Sequence, residues 1–100
     1  MDSKDIYTLK AVKLAIRRTH DKLDADILDE IKACRADLKA HGVVYADDSD
    51  PLILNAIKLW ARSVYSEDTV KAAEYLKRYN ALRDCLKMAE GYGWKDGSDE

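Results

Sequence analysis

Residues 50–66 read DPLILNAIKLWARSVYS, and this stretch decides the fold. Asp50-Pro51 is a strong helix start, because proline fits the first helical position, where no N–H partner is needed. From there Leu52, Ile53, Ala56, Ile57, Trp60 and Val64 recur at helical spacing, and Leu59 and Tyr65 widen the apolar arc. So wide an arc predicts a helix at the centre of the fold, ending near Ser66.

Working back from it, a polar loop from Tyr45 to Asp50 follows Val43 and Val44. Before the loop, Ile27, Ile31, Cys34 and Leu38 keep to one face, helped by Leu28. This helix starts near Asp24 or Asp26, either of which can cap exposed amides, with Asp29 and Glu30 in the first turns. Lys39 and His41 close it, and Gly42 suits the left-handed position just beyond the end. Earlier still, Leu9, Val12 and Ile16 predict a first helix over 9–19, with Thr8 as its N-cap and Leu14 and Ala15 widening the stripe. Forward of the central helix, Ser66 can cap a fourth, with Glu67 and Asp68 in its first turn. Its stripe is Val70, Ala73, Leu76, Tyr79, Leu82 (or Arg83), Leu86 and Ala89, and Gly91 and Gly93 stop it. The expected fold class is therefore all-α: a small four-helix, bundle-like domain over residues 1–93 with a flexible acidic tail at 94–100.

Composition agrees. One proline, four glycines and no phenylalanine leave few breaks, and one hundred residues have room for a single core. Charged residues make up 36% of the chain but divide into 17 basic and 19 acidic, and a net charge of −2 argues against a general polyanion binder. No segment approaches the ~20 apolar residues that span a bilayer. The charged N-terminus lacks the apolar core of a signal peptide, so export is not expected. Cys34 and Cys85 sit in helical patterns and read as buried thiols of a reducing compartment, the alternative being a disulfide between them.

Sites of chemistry are hard to find. Cys34, His41, Cys85 and His20 are possible metal ligands, but they lack the close pairs of a structural zinc site. Asp24, Asp26, Asp29 and Glu30 are explained by helix capping, and Asp47, Asp48 and Asp50 by solvation of a loop; neither group has calcium-loop spacing. There is no Gly-rich phosphate loop, nucleophile elbow or His-Glu-x-x-His, so neither an enzyme nor a cofactor is expected. Lys10, Lys13, Arg17, Arg18 and Lys22 make the first region basic and permit a helix-turn-helix reading. The second helix, however, opens with four acidic residues that would meet phosphates badly. Residues 1–22 hold six basic and three acidic residues, whereas residues 23–50 hold three and eight. Opposite signs on separate parts of one domain suit head-to-tail packing between identical subunits, which closes into a ring when the rotation allows.

The order of signals resembles a known family. Thr8-Leu-Lys-Ala-Val-Lys-Leu-Ala-Ile-Arg, Leu23-Asp-Ala-Asp-Ile-Leu-Asp-Glu-Ile and Asp37-Leu to Gly42-Val resemble the start of small tailed-phage connector proteins. The likeness continues through Asp50-Pro-Leu-Ile-Leu-Asn-Ala-Ile, Trp60-Ala-Arg-Ser-Val-Tyr, Tyr75-Leu-Lys-Arg-Tyr-Asn-Ala-Leu-Arg-Asp-Cys-Leu and Gly91-Tyr-Gly, covering residues 7–93. It is to the head–tail connector family of long-tailed phages, also described as adaptor, DNA-packaging or head-completion proteins. The polar link from Arg17 to Lys22 is less typical of it. The resemblance implies a helical subunit made in the host cytoplasm that forms a ring of its own copies beneath the portal protein, at the head–tail interface of the virion. Such a ring extends the DNA channel, passes DNA without reading its sequence and receives the next head-completion or tail protein; no cofactor, metal or membrane is implied. Tyr45, Tyr92 and Trp94 are candidate anchors for these partners. With Asp47 and Asp48 they mark the 43–50 loop and the 91–100 tail as the expected partner interface. The alternatives are a small helix-turn-helix DNA-binding regulator and a helical adaptor for a host or phage enzyme.

Overall fold

The computed structural model describes residues 2–44, 47–89 and 91–92. Four helices succeed one another along it: α1 (Ser3–Ile16), α2 (Asp24–Ala40), α3 (Pro51–Tyr65) and α4 (Thr69–Met88), with no strand among the described residues. The all-α four-helix fold is as the sequence predicts, and most differences lie at helix ends. α1 begins at Ser3 rather than Leu9, because the Asp2 carboxylate accepts from the Asp5 N–H at 2.9 Å and caps it. Thr8, expected as the cap, lies inside the helix and is fully buried. α1 ends at Ile16 rather than Thr19, because Arg17 turns left-handed (φ 59°). The Arg17 N–H then donates to Leu14 O and the Arg18 N–H to Lys13 O, a paired helix stop whose left-handed residue is usually glycine.

The same stop ends α2 with glycine in place. Gly42 has φ +96°, its N–H donates to Lys39 O, and the Val43 N–H donates to Leu38 O at 2.9 Å. At the other end of α2 neither expected cap operates. Leu23 holds the cap position without a side-chain bond, while the carboxylates of Asp24 and Asp26 turn to α1 and α3. α3 starts where predicted, with Asp50 Oδ1 accepting from the Leu52 N–H at 2.8 Å. α4 is capped by Asp68 rather than Ser66, its carboxylate accepting from Val70 and Lys71 N–H groups at 2.9 and 3.1 Å. Ser66 instead terminates α3.

α3 is the centre of the fold and packs against each of the other three helices. It buries Ile53, Ala56, Ile57, Leu59 and Ala61 against Leu9 and Val12 of α1, the Ile27, Ile31, Cys34 and Leu38 face of α2, and Tyr79 and Leu86 of α4. The domain measures 48 × 34 × 19 Å, and a helix with its side chains is roughly 10–12 Å across, so its thin dimension holds only about two helix layers. That flatness leaves α4 with one covered side. Of its predicted stripe only Tyr79 and Leu86 are buried, while Val70 is 77% exposed, Leu76 44% exposed and Ala73 exposed. Leu14, expected to widen the α1 stripe, is 80% exposed.

Candidate interaction surface

Three polar clusters lock the helices together, and each consumes residues that the sequence left ambiguous. In the first, Asp48 is only 1% exposed and reaches the seam between α1 and α2. It accepts from the Thr8 hydroxyl at 2.6 Å and from Arg35 Nε at 3.2 Å, and also pairs with Arg35 Nη2. Arg35 Nη2 lies 3.1 Å from Asp5 as well. Asp48 is the first cause holding the Arg35 guanidinium above its ordinary pKa. In the second, Asp37 accepts from the Tyr79 hydroxyl at 2.7 Å and from Arg83 at 3.2 Å, with His41 Nδ1 3.3 Å away. Burial, more than Asp37, drives the Tyr79 hydroxyl pKa upward. In the third, Lys13 Nζ lies 2.8 Å from Asp24 and 2.9 Å from Asp21. Nearby, the Tyr65 hydroxyl donates to Asp26, and Trp60 Nε1 donates to Glu30 at 2.9 Å. These pairs neutralise, within one chain, part of the contrast between residues 1–22 and 23–50.

The predicted interface residues separate. Asp48 is not solvated: a carboxylate bound by a guanidinium and a hydroxyl in a dry seam anchors the loop and offers little to a partner. Asp47 folds back on Ser49, accepting from its N–H and hydroxyl at 3.0 Å. Tyr92 is half-buried against the core, and its hydroxyl donates to Asp50 at 2.7 Å, which holds the Asp50 carboxyl below its ordinary value. Tyr45 and Trp94, with the whole 94–100 tail, lie outside the described residues. The two thiols also divide. Cys34 is buried, and its pKa is pushed up by desolvation to about 12, whereas Cys85 is exposed, contrary to the expected pair of buried thiols; both are free. His20 and His41 are exposed, and among the described residues no three His, Cys, Asp or Glu side chains gather where a metal could be held.

Sequence reasoning missed one surface altogether. Where the C-terminal ends of α1 and α3 meet the first turns of α4, a groove of about 540 Å³ opens between Leu14, Arg17, Arg62, Tyr65, Lys71 and Tyr75. Among the described residues no acidic side chain lines it. Arg62 is held in place by its Nε donating to Ala15 O at 3.4 Å and by the Tyr75 ring 6.0 Å from its guanidinium carbon. Arg18 stands beside the groove, donating to Tyr65 O at 3.3 Å. Among the described residues none of Arg17, Arg62 and Lys71 forms an ion pair. Three unneutralised cations beside exposed apolar and aromatic surface can bind an acidic segment that also carries an apolar anchor. No local pattern announces this groove, since Arg17, Arg62 and Lys71 come from three separate helical segments. Comparison of the chain with protein-family models, curated proteins and solved structures returns no match.

Proposed function

We propose that this chain is a structural subunit of a phage head–tail connector, assembling as a ring beneath the portal of the virion. The observation that carries the reading is the uncovered apolar stripe of α4. Val70, Ala73 and Leu76 follow one another at spacings of three on a helix whose other side already packs on α3. Leu14 at 80% and Met88 at 81% exposure add apolar surface elsewhere. Single exposed apolar residues are ordinary, but a continuous helical stripe is surface that a partner would cover. The sequence resemblance supplies the kind of assembly, and the absence of a recognisable catalytic constellation in the sequence fits a geometric role: subunit packing, portal docking and extension of a channel.

In this reading the partners are the portal protein, further copies of the chain and the next head-completion or tail protein, with DNA passing through unread. The helix-turn-helix alternative gains nothing from the acidic opening of α2, where Asp24 and Asp26 are engaged by Lys13 and Tyr65. The test is co-sedimentation of the purified chain with portal rings from the phage or prophage that encodes it, followed by negative-stain imaging. An added ring of density below the portal is expected. A folded chain that leaves intact portals bare would overturn the reading and favour the DNA-binding or adaptor roles.

A further inference from the structure

The groove of Arg17, Arg62 and Lys71 is cationic, apolar at its rim and lined by no carboxylate among the described residues, and the chain itself contains a segment of matching chemistry. Residues 93–100 read GWKDGSDE: one tryptophan, one lysine and the three acids Asp96, Asp99 and Glu100. We propose that the groove of one copy receives residues 93–100 of a second copy, with acids facing Arg17, Arg62 and Lys71 and the Trp94 indole against Leu14 and Tyr75. This deepens the assembly reading, on which it rests in taking a second copy as the partner.

Chain length favours docking between copies over docking within one. The Tyr92 hydroxyl is held by Asp50, at the start of α3, whereas the groove lies at the end of α3. From Asp50 to Arg62 the helix rises ~18 Å. Trp94 is two residues beyond Tyr92 and so can move at most ~7 Å along the chain from it. Seating the indole in the groove of its own copy would need the Tyr92 side chain, the two-residue link and the indole all to extend toward the end of α3, whereas a neighbouring copy can present indole and acids together without that stretch. A contact between unlike surfaces of identical chains is heterologous, and repeating it builds a ring or filament.

The probe is a labelled peptide of residues 93–100, followed by fluorescence anisotropy with the full chain. Two full-chain variants accompany it. Arg17→Glu with Lys71→Glu reverses two exposed groove charges, and Asp96→Lys, Asp99→Lys and Glu100→Lys reverse the tail. Expected are binding to dilute wild type and to the tail variant with equal affinity, weaker binding as the wild type is concentrated and its tails compete, about tenfold or greater weakening by the groove variant, and weakening with added salt. A mixture of the two variants should also pair in sedimentation velocity, because reversed tail then meets reversed groove.

Peptide binding to the tail variant but not to wild type, however far the wild type is diluted, would mean that the groove is filled by its own tail, and would overturn the proposal. So would equal binding to the groove variant, or no binding by any chain. Duplex DNA in place of the peptide is the remaining arm: groove-dependent DNA binding without peptide binding would make this a phosphate-backbone site. The two readings fail separately. A chain that ignores the peptide yet decorates portal rings refutes only the tail-in-groove contact, and one that binds the peptide yet leaves portals bare refutes only the connector.

Discussion

Replacing Asp48 with alanine should destabilise the domain by about 2–4 kcal/mol, and the size follows from what surrounds the carboxylate. Asp48 is 1% exposed and is bound by Thr8 and by two nitrogens of Arg35, whose own side chain is 22% exposed. Removing one partner of a buried ion pair typically costs about 3–5 kcal/mol, because the other charge is left in a poor environment. Here both abandoned groups have a second partner. Arg35 keeps Asp5 at 3.1 Å, and the Thr8 hydroxyl can turn to Lys4 O at 3.0 Å, which brings the expected loss down by about 1 kcal/mol from that range. For a domain of this length each kcal/mol moves the thermal midpoint by roughly 4–8 °C, so a fall of about 10–25 °C is expected. The assay is urea unfolding followed by far-UV circular dichroism at neutral pH, with Arg35→Met and the Arg35→Met/Asp48→Leu double variant alongside. The double variant should cost less than the two single variants added together, because it leaves no lone charge. An Asp48→Ala chain within about 0.5 kcal/mol of wild type would refute the view that this pair anchors the loop to α1 and α2.

Three further outcomes are expected. Native protein should show one fast thiol, Cys85, towards a maleimide at neutral pH, and Cys34 should react only after denaturation; mass mapping that finds Cys34 modified first would contradict its burial and raised pKa. Ile57→Ala should cost about 2–5 kcal/mol in the same urea assay, since Ile57 is fully buried in the helix that every other helix touches, and a loss below about 1 kcal/mol would deny α3 its central place. The Asp50 carboxyl is held below 3.8, first by the Tyr92 hydroxyl, so its stabilising effect is present above that value and disappears as pH falls through the lower folded-state value. Tyr92→Phe should therefore raise the Asp50 pKa in a carboxyl-detected NMR titration and flatten the acid limb of the stability curve; an unmoved Asp50 would break the link.

Local signals were easy to read where chemistry and geometry coincide within a few residues. Asp50-Pro51 marked the start of α3, Gly42 the end of α2, and the face of α2 emerged from spacing alone, because helical periodicity is written along the chain; of the α3 arc Ile53, Ala56, Ile57 and Leu59 are buried, but Leu52 and Val64 are each 45% exposed. Helix ends failed where a commonplace residue took a special role. Arg17 occupies a left-handed position that usually signals glycine, Asp2 caps α1 from among charges that merely look solvated, and Asp68 rather than Ser66 caps α4. The α4 stripe looked like core because sequence reports periodicity and not coverage.

The sequence by itself thus determined four helices, their order and the central place of α3. Those depend on intrinsic propensity and on apolar spacing within single segments. Only the tertiary structure decided that Asp48 is buried and Cys85 exposed, that α4 keeps an open face, and that Arg17, Arg62 and Lys71 share one groove. Each of those depends on which distant segments become neighbours, and the residues that meet are forty or more positions apart in several of these contacts. A carboxylate reads as solvated until the guanidinium that dries it is brought across from another helix.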